Sequence, residues 1–279
     1  MITPPFSFIS AYYWTIVVKM ISIYFLAYAD IGAAVLAIAF GTFLFIKAKR
    51  LSSFYLFLLC TIFAIYSFGD FATWILSEDL GMSVWSVLDV LSVSFFILSF
   101  WFLYTFVKER DLPMWLKVLT ASALIPTLVV TALSINLNTW VVPSGMAIDN
   151  AVVANYHSCL YGFFILLTII FTIIEYRKAL DTVNKKKIAL AGIGVATFLF
   201  AYFFVYAIVN FVIAINLWNL ALTGYAYIIS PYALFGMPIL LAFLGYLIAK
   251  YQAFDVRLIK SIAYMIVLMV LLFIGLFFA

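Results

Sequence analysis

Eight apolar stretches follow one another along this chain, near residues 23–46, 53–76, 83–107, 115–135, 156–176, 188–214, 225–249 and 261–279. A helix needs about 20 mostly apolar residues to cross a bilayer. Inside lipid every backbone N–H and C=O must find a partner, which leaves helices and closed barrels. Alternating ten-residue strands of the barrel type do not occur here. The chain is 68% hydrophobic and 9% charged, with a mean hydropathy of +1.25. Water-soluble domains run at about 45–50% apolar and about 25% charged. The solvent of this chain is therefore lipid.

The basic residues give the direction of each stretch. Lys47, Lys49 and Arg50 follow the first, and Lys108, Arg110 and Lys117 follow the third. Arg177, Lys178, Lys185, Lys186 and Lys187 follow the fifth, and Lys250, Arg257 and Lys260 follow the seventh. Only Lys19 of the 15 basic residues stands outside these alternate turns. The positive-inside rule makes those turns cytoplasmic and puts the N-terminus outside. The expected fold is an all-α polytopic membrane bundle of seven transmembrane helices over 23–250. Residues 1–22 read as an outer interfacial segment, with Tyr12, Tyr13, Trp14 and Lys19 at headgroup level. Residues 251–260 read as a cytoplasmic turn. Residues 261–279 read as an eighth transmembrane helix cut short, as in a fragment of a longer protein.

Several chemistries find no footing. The net charge of +4 is scattered over short turns and forms no face for nucleic acid. Cys60 and Cys159 belong to different stretches at different depths, too far apart to bridge. With one histidine, His157, and no CxxC, a zinc site is not expected. No phosphate-binding glycine loop and no HExxH motif is present, so no catalytic residues and no cofactor are assigned. A retinal pigment needs a lysine deep in the bundle, and no stretch supplies one.

Carboxylates within a bilayer are expensive and face the bundle interior or water. Asp30, Asp70 and Asp89 lie in the first three stretches, and the topology places all three toward the outer side. Asp70 falls about 26 Å from the inner start of its helix. Helical spacing groups Asp30 with Ala34, Ala37 and Gly41, Asp70 with Ser67 and Thr73, and Asp89 with Ser86, Ser92, Phe96 and Ser99. Ala33, Ala37 and Gly41 also form a small-residue ladder of the kind that lets helices approach closely. His157 and Asn210 fall at similar depth. One reading is an outward polar pocket for a small ligand, an ion or a proton, with these five residues as sensing candidates. The other is that each carboxylate reaches interfacial water, while hydroxyls bond back to their own helix.

Pro231 and Pro238 in "SPYALFGMP" are expected to kink the seventh helix. In "YQAFDVRLIK", Asp255 is placed to cap the next helix, and Arg257 and Lys260 hold its start at the inner headgroups. That turn is where a signal would leave the bundle.

Three segments carry a family resemblance. "KAKRLSSFYLFLLCTIFAIYSFGDFATWI", "WFLYTFVKERDLPMWLKVL" and "AFLGYLIAKYQAFDVRLIKSIAY" resemble helix junctions in the N-terminal seven-helix region of bacterial sensor histidine kinases. The resemblance covers roughly residues 20–265. It implies a membrane input module of a two-component system in a bacterial inner membrane. Its output domain, a histidine kinase or a diguanylate cyclase, would lie outside this chain. The implied partners are the lipid bilayer, an unidentified small ligand and a second copy joined through downstream helices. The competing function is a transporter or channel for a small solute or ion, although no internal repeat and no matched pair of broken helices is evident.

Overall fold

The computed structural model of the protein describes residues 30–73, 75–141, 146–215 and 236–251. Its helices are α1 (Asp30–Ala48), α2 (Leu51–Thr73), α3 (Glu78–Lys108), α4 (Met114–Ser122), α5 (Leu124–Ala132), α6 (Ala151–Lys178), α7 (Thr182–Ile215) and α8 (Gly236–Tyr251). Six helical segments among the described residues are long and apolar enough to cross a membrane, α4 and α5 together making one of them. The chain is thus a multi-pass helical membrane protein. Pro231, the turn bearing Asp255, Arg257 and Lys260, the segment 1–22 and the eighth stretch lie outside the described residues. Pro238 lies within α8.

Local signals set the helix ends. Asn150 caps α6, its side chain accepting from the Val152 N–H at 3.0 Å. Arg177 and Lys178 occupy the last turn of α6, where cations answer the free carbonyls. Lys49 and Glu109 take left-handed backbone (φ 47° and 52°) just after α1 and α3, a common way to stop a helix. The fourth stretch departs from its expected single helix by breaking at Ala123. Pro126 has no N–H for the Ser122 carbonyl, and its ring crowds that turn. At the break the Ala123 carbonyl accepts from the Tyr156 hydroxyl of α6 at 2.6 Å.

Between α5 and α6 the chain leaves the expected all-α pattern. Leu137–Val141 (β1) and Met146–Asp149 (β2) pair antiparallel, with Trp140 opposite Ala147 and a register shift between Leu137 and Thr139. Trp, Val and Thr favour such a ladder. Five strand residues were too few to register against helical periodicity in an apolar chain.

α3 is the axis of the bundle. It is 31 residues long, or about 46 Å, and packs against α2, α5, α6 and α7. α7 packs in turn on α6 and α8. A layer of aromatic rings joins α2, α3 and α7, with Phe95 5.9 Å from Phe63, 5.4 Å from Tyr202 and 5.1 Å from Tyr66. Offset and edge-on ring pairs of this kind add to simple burial. The outward faces are as apolar as the core, with Ile31, Val35 and Ile38 exposed on α1 and Leu166, Ile170 and Ile173 exposed on α6. Lipid is the solvent that makes this arrangement stable.

The turns that carry basic residues meet at one end. Arg50 lies 3.7 Å from Glu109, linking the α1–α2 turn to the α3–α4 turn. Lys108 donates to Glu175 at 2.6 Å, linking the end of α3 to the end of α6. The Asp111 carboxylate accepts from Lys117 at 2.5 Å, from the Leu112 N–H at 2.8 Å and from the Tyr55 hydroxyl at 3.1 Å. Every described lysine and arginine lies in or next to these turns or at the end of α8.

Candidate functional site

The opposite end holds the carboxylates. α1 and α2 run antiparallel, and their register is fixed where Gly41 meets Cys60: a Cβ on Gly41 would stand 2.8 Å from the Cys60 Cβ. Eleven residues separate Gly41 from Asp30, and ten separate Cys60 from Asp70. Climbs that differ by one residue along two touching helices bring the two carboxyls to a similar level, near enough for their charges to act on each other. Asp30 is fully buried, Asp70 is 8% exposed, and Ala33, Ala34 and Ala37 below Asp30 are buried with it. Neither oxygen of Asp30 has a hydrogen-bond partner among the described residues. A buried ionised carboxylate without donors or a cation is costly.

Tyrosines adjoin the pair. Tyr66 stands one turn before Asp70 on α2 and packs against Tyr202 of α7. The two rings lie edge to face at 5.5 Å. Asp70 lies within electrostatic reach of both phenols, and Asp30 of Tyr202.

Asp89, also within electrostatic reach of Tyr66, has a hydrogen-bond partner of its own. The Asn136 side-chain amide donates to its Oδ2 at 2.7 Å, while the Ser86 hydroxyl donates to Asn136 Oδ1 at 2.9 Å. Asn136 is buried, and its carbonyl accepts from the Asn150 N–H at 2.7 Å, so one residue ties α3 to both ends of the β-hairpin segment. One turn on, Ser92 and Tyr161 of α6 share a 2.6 Å hydrogen bond. Tyr161 stacks on Phe96 at 4.3 Å on one side and on His157 at 5.8 Å on the other.

His157 is fully buried between its neighbouring helices. Its Nε2 lies 3.1 Å from the Thr127 hydroxyl of α5, and its Nδ1 has no partner among the described residues. The side chain of Asn210 lies outside the described residues. Back-bonding is also present, Thr73 and Ser92 donating to the carbonyls of Asp70 and Asp89 at 2.7 and 2.8 Å. The four described sensing candidates have different immediate neighbours. Asp30 and Asp70 form one node, Asp89 with Asn136 a second, and His157 with Thr127 a third.

Sequence reasoning passed over Asn136, Tyr66, Tyr161 and Tyr202. Tyr66 carried a signal, since it precedes Asp70 by four residues and so shares its helix face. Asn136 carried none, standing in a turn that only the folded chain buries.

The chemistry open to the central node is narrow. Two buried acids with no described cation beside them accept a proton or a small cation. Among the described residues no three His, Cys, Asp or Glu side chains group as a multivalent metal would require. The chain matches no protein-family model, no curated protein and no solved structure.

Proposed function

We propose that this chain is the membrane-embedded input module of a signal-transduction protein, of the sensor histidine kinase type, with its N-terminus outside a bacterial inner membrane. The observation that carries the reading is the burial of Asp30 and Asp70 on neighbouring helices, beside the edge-to-face contact of Tyr66 on α2 with Tyr202 of α7. Uptake or loss of a proton or small cation at the pair alters the field at Tyr202. α7 packs along α8, and α8 leads to the basic end. The stimulus thus has a physical route from one end of the bundle to the other. The segmental resemblance of the α1–α2, α3–α4 and post-α8 junctions supplies the kinase-type output. The clustering of basic turns at one end supports the cytoplasmic assignment of that end.

A transporter is the second reading, favoured by the same unpartnered carboxyl. Transporter sites lie near the bilayer midplane, whereas Asp70 stands three residues from the end of α2. The test is substitution of Asp30, Asp70 and Asp89 by Asn, one at a time, in the full reading frame, with phosphorylation output followed against external pH and sodium. Loss of response in Asp30→Asn and Asp70→Asn is expected. Wild-type behaviour of all three would end the sensing proposal. Carboxylate-dependent cation flux in proteoliposomes, in a reading frame with no output domain, would establish the transporter instead.

A further inference from the structure

A cleft of about 600 Å³ opens at the basic end of the bundle, away from the carboxylate node. Small-molecule pockets span about 300–1,000 Å³. Arg50, Lys108, Lys178 and Lys187 line it, arriving from three different turns, and Glu109 and Glu175 are the acids of the same lining. Four cations face two carboxylates.

The two acids act chiefly as holders. Glu175 accepts from Lys108 at 2.6 Å through one oxygen and from Lys178 at 3.3 Å through the other. Glu109 stands 3.7 Å from Arg50. Three cationic heads are thereby fixed around one opening, and a net positive charge is left over. Asp181, beside the opening, lies within electrostatic reach of Lys187 and is also engaged with Asn184.

Helix electrostatics accounts for half of these cations and not for the rest. Lys108 and Lys178 occupy the last turns of α3 and α6, where positive charge is favourable. Arg50 immediately precedes α2, and Lys187 lies in the second turn of α7. Positive charge beside the first turn, as at Arg50, is unfavourable, whereas the helix dipole has faded at Lys187. An anion in the cleft turns that penalty into a gain. The lining is also of two kinds, with polar Ser52 and Asn184 beside apolar Leu51 and Ile188, and fully exposed Leu180 follows Ala179 at the rim. Basic clefts between helices at the membrane surface suit a phosphate with an apolar tail beside it.

We propose that this cleft binds a phosphate-bearing anion, with Arg50 and Lys187 as its principal contacts. Lipid headgroups and soluble phosphates share that chemistry, and separate arms of one experiment distinguish them. The purified protein is placed in nanodiscs of phosphatidylcholine alone, in the same discs with phosphatidylglycerol added, and in phosphatidylcholine discs with inorganic pyrophosphate. Thermal unfolding and native mass spectrometry are read in each.

A raised midpoint and a retained phosphatidylglycerol identify a lipid headgroup. A raised midpoint with pyrophosphate alone identifies a soluble source. Arg50→Gln and Lys187→Gln should each weaken binding roughly fivefold, following the typical worth of one basic residue at an anionic surface. Lys186→Gln, an exposed neighbour that does not line the cleft, should leave it unchanged. Equal loss in Lys186→Gln would reduce the effect to general surface charge and overturn the proposal. So would the absence of any shift or retained anion in wild type.

Discussion

Asp70 of α2 lies within electrostatic reach of Asp30 of α1, in the half of the bundle that contains no described lysine or arginine. A fold gains nothing in stability from burying two like charges, so the pair is expected to cost free energy. Replacing Asp30 with Leu, which keeps the branched skeleton and has no polar atoms, should raise stability by on the order of 1–3 kcal/mol, as when buried charges give way to apolar side chains. Thermal unfolding in detergent micelles or nanodiscs reads this directly. A lowered midpoint would mean that Asp30 has a stabilising partner and that the node has been misjudged.

The Lys108–Glu175 pair makes the opposite case. It joins two helix ends at 2.6 Å, with the Glu175 side chain only 10% exposed and Lys108 26% exposed. Loss of one partner from a buried pair costs about 3–5 kcal/mol, and the access of Lys108 to solvent brings this toward about 2 kcal/mol. Glu175→Ala should therefore destabilise markedly. A Lys108→Met and Glu175→Met double variant should recover most of the loss. A double-mutant cycle with no coupling would show the pair to be ornamental.

These two pairs mark what the sequence did and did not make legible. Long apolar stretches and alternating basic turns foretold the helices to within a few residues, as with 83–107 against Glu78–Lys108. Faces also followed from spacing: Asp30, Ala34, Ala37 and Gly41 are buried together. Partners did not follow. Hydrophobic periodicity is weak when lipid and core are equally apolar, so the sequence says little about which helix lies beside which. The Asp89–Asn136 and Lys108–Glu175 bonds span 47 and 67 residues, and only the packed bundle brings their ends together.

Glycines give a comparison within one chain. An added Cβ at Gly41 would press on Cys60 at 2.8 Å and on the Phe57 backbone at 3.4 Å, whereas at Gly162 it would meet nothing within 4 Å. Gly41→Ala must therefore separate α1 from α2, at a cost of about 1–3 kcal/mol. Gly162→Ala should be neutral or stabilising, up to about 1 kcal/mol, because alanine is the better helix former. If Gly41→Ala unfolds no earlier than Gly162→Ala, the close approach of α1 and α2 that sets the Asp30–Asp70 register is absent.

Asp111 offers a test by pH at the basic end. Burial pushes its carboxyl up, but the Lys117 ammonium, the Leu112 N–H and the Tyr55 hydroxyl outweigh this and hold it below the ordinary aspartate value. A carboxyl lowered in the folded state stabilises above its unfolded value, about 3.9, and that contribution is lost as pH falls through the folded value. Its side chain is 46% exposed, so water and salt screen the effect and keep it small. The unfolding midpoint of wild type should fall more steeply than that of Asp111→Asn as pH is lowered from about 5 to about 3, the span over which such a carboxyl protonates. At neutral pH Asp111→Asn should be the less stable protein, and added salt should narrow the gap. Parallel acid-side curves for the two proteins would show that Lys117 does not hold the Asp111 charge.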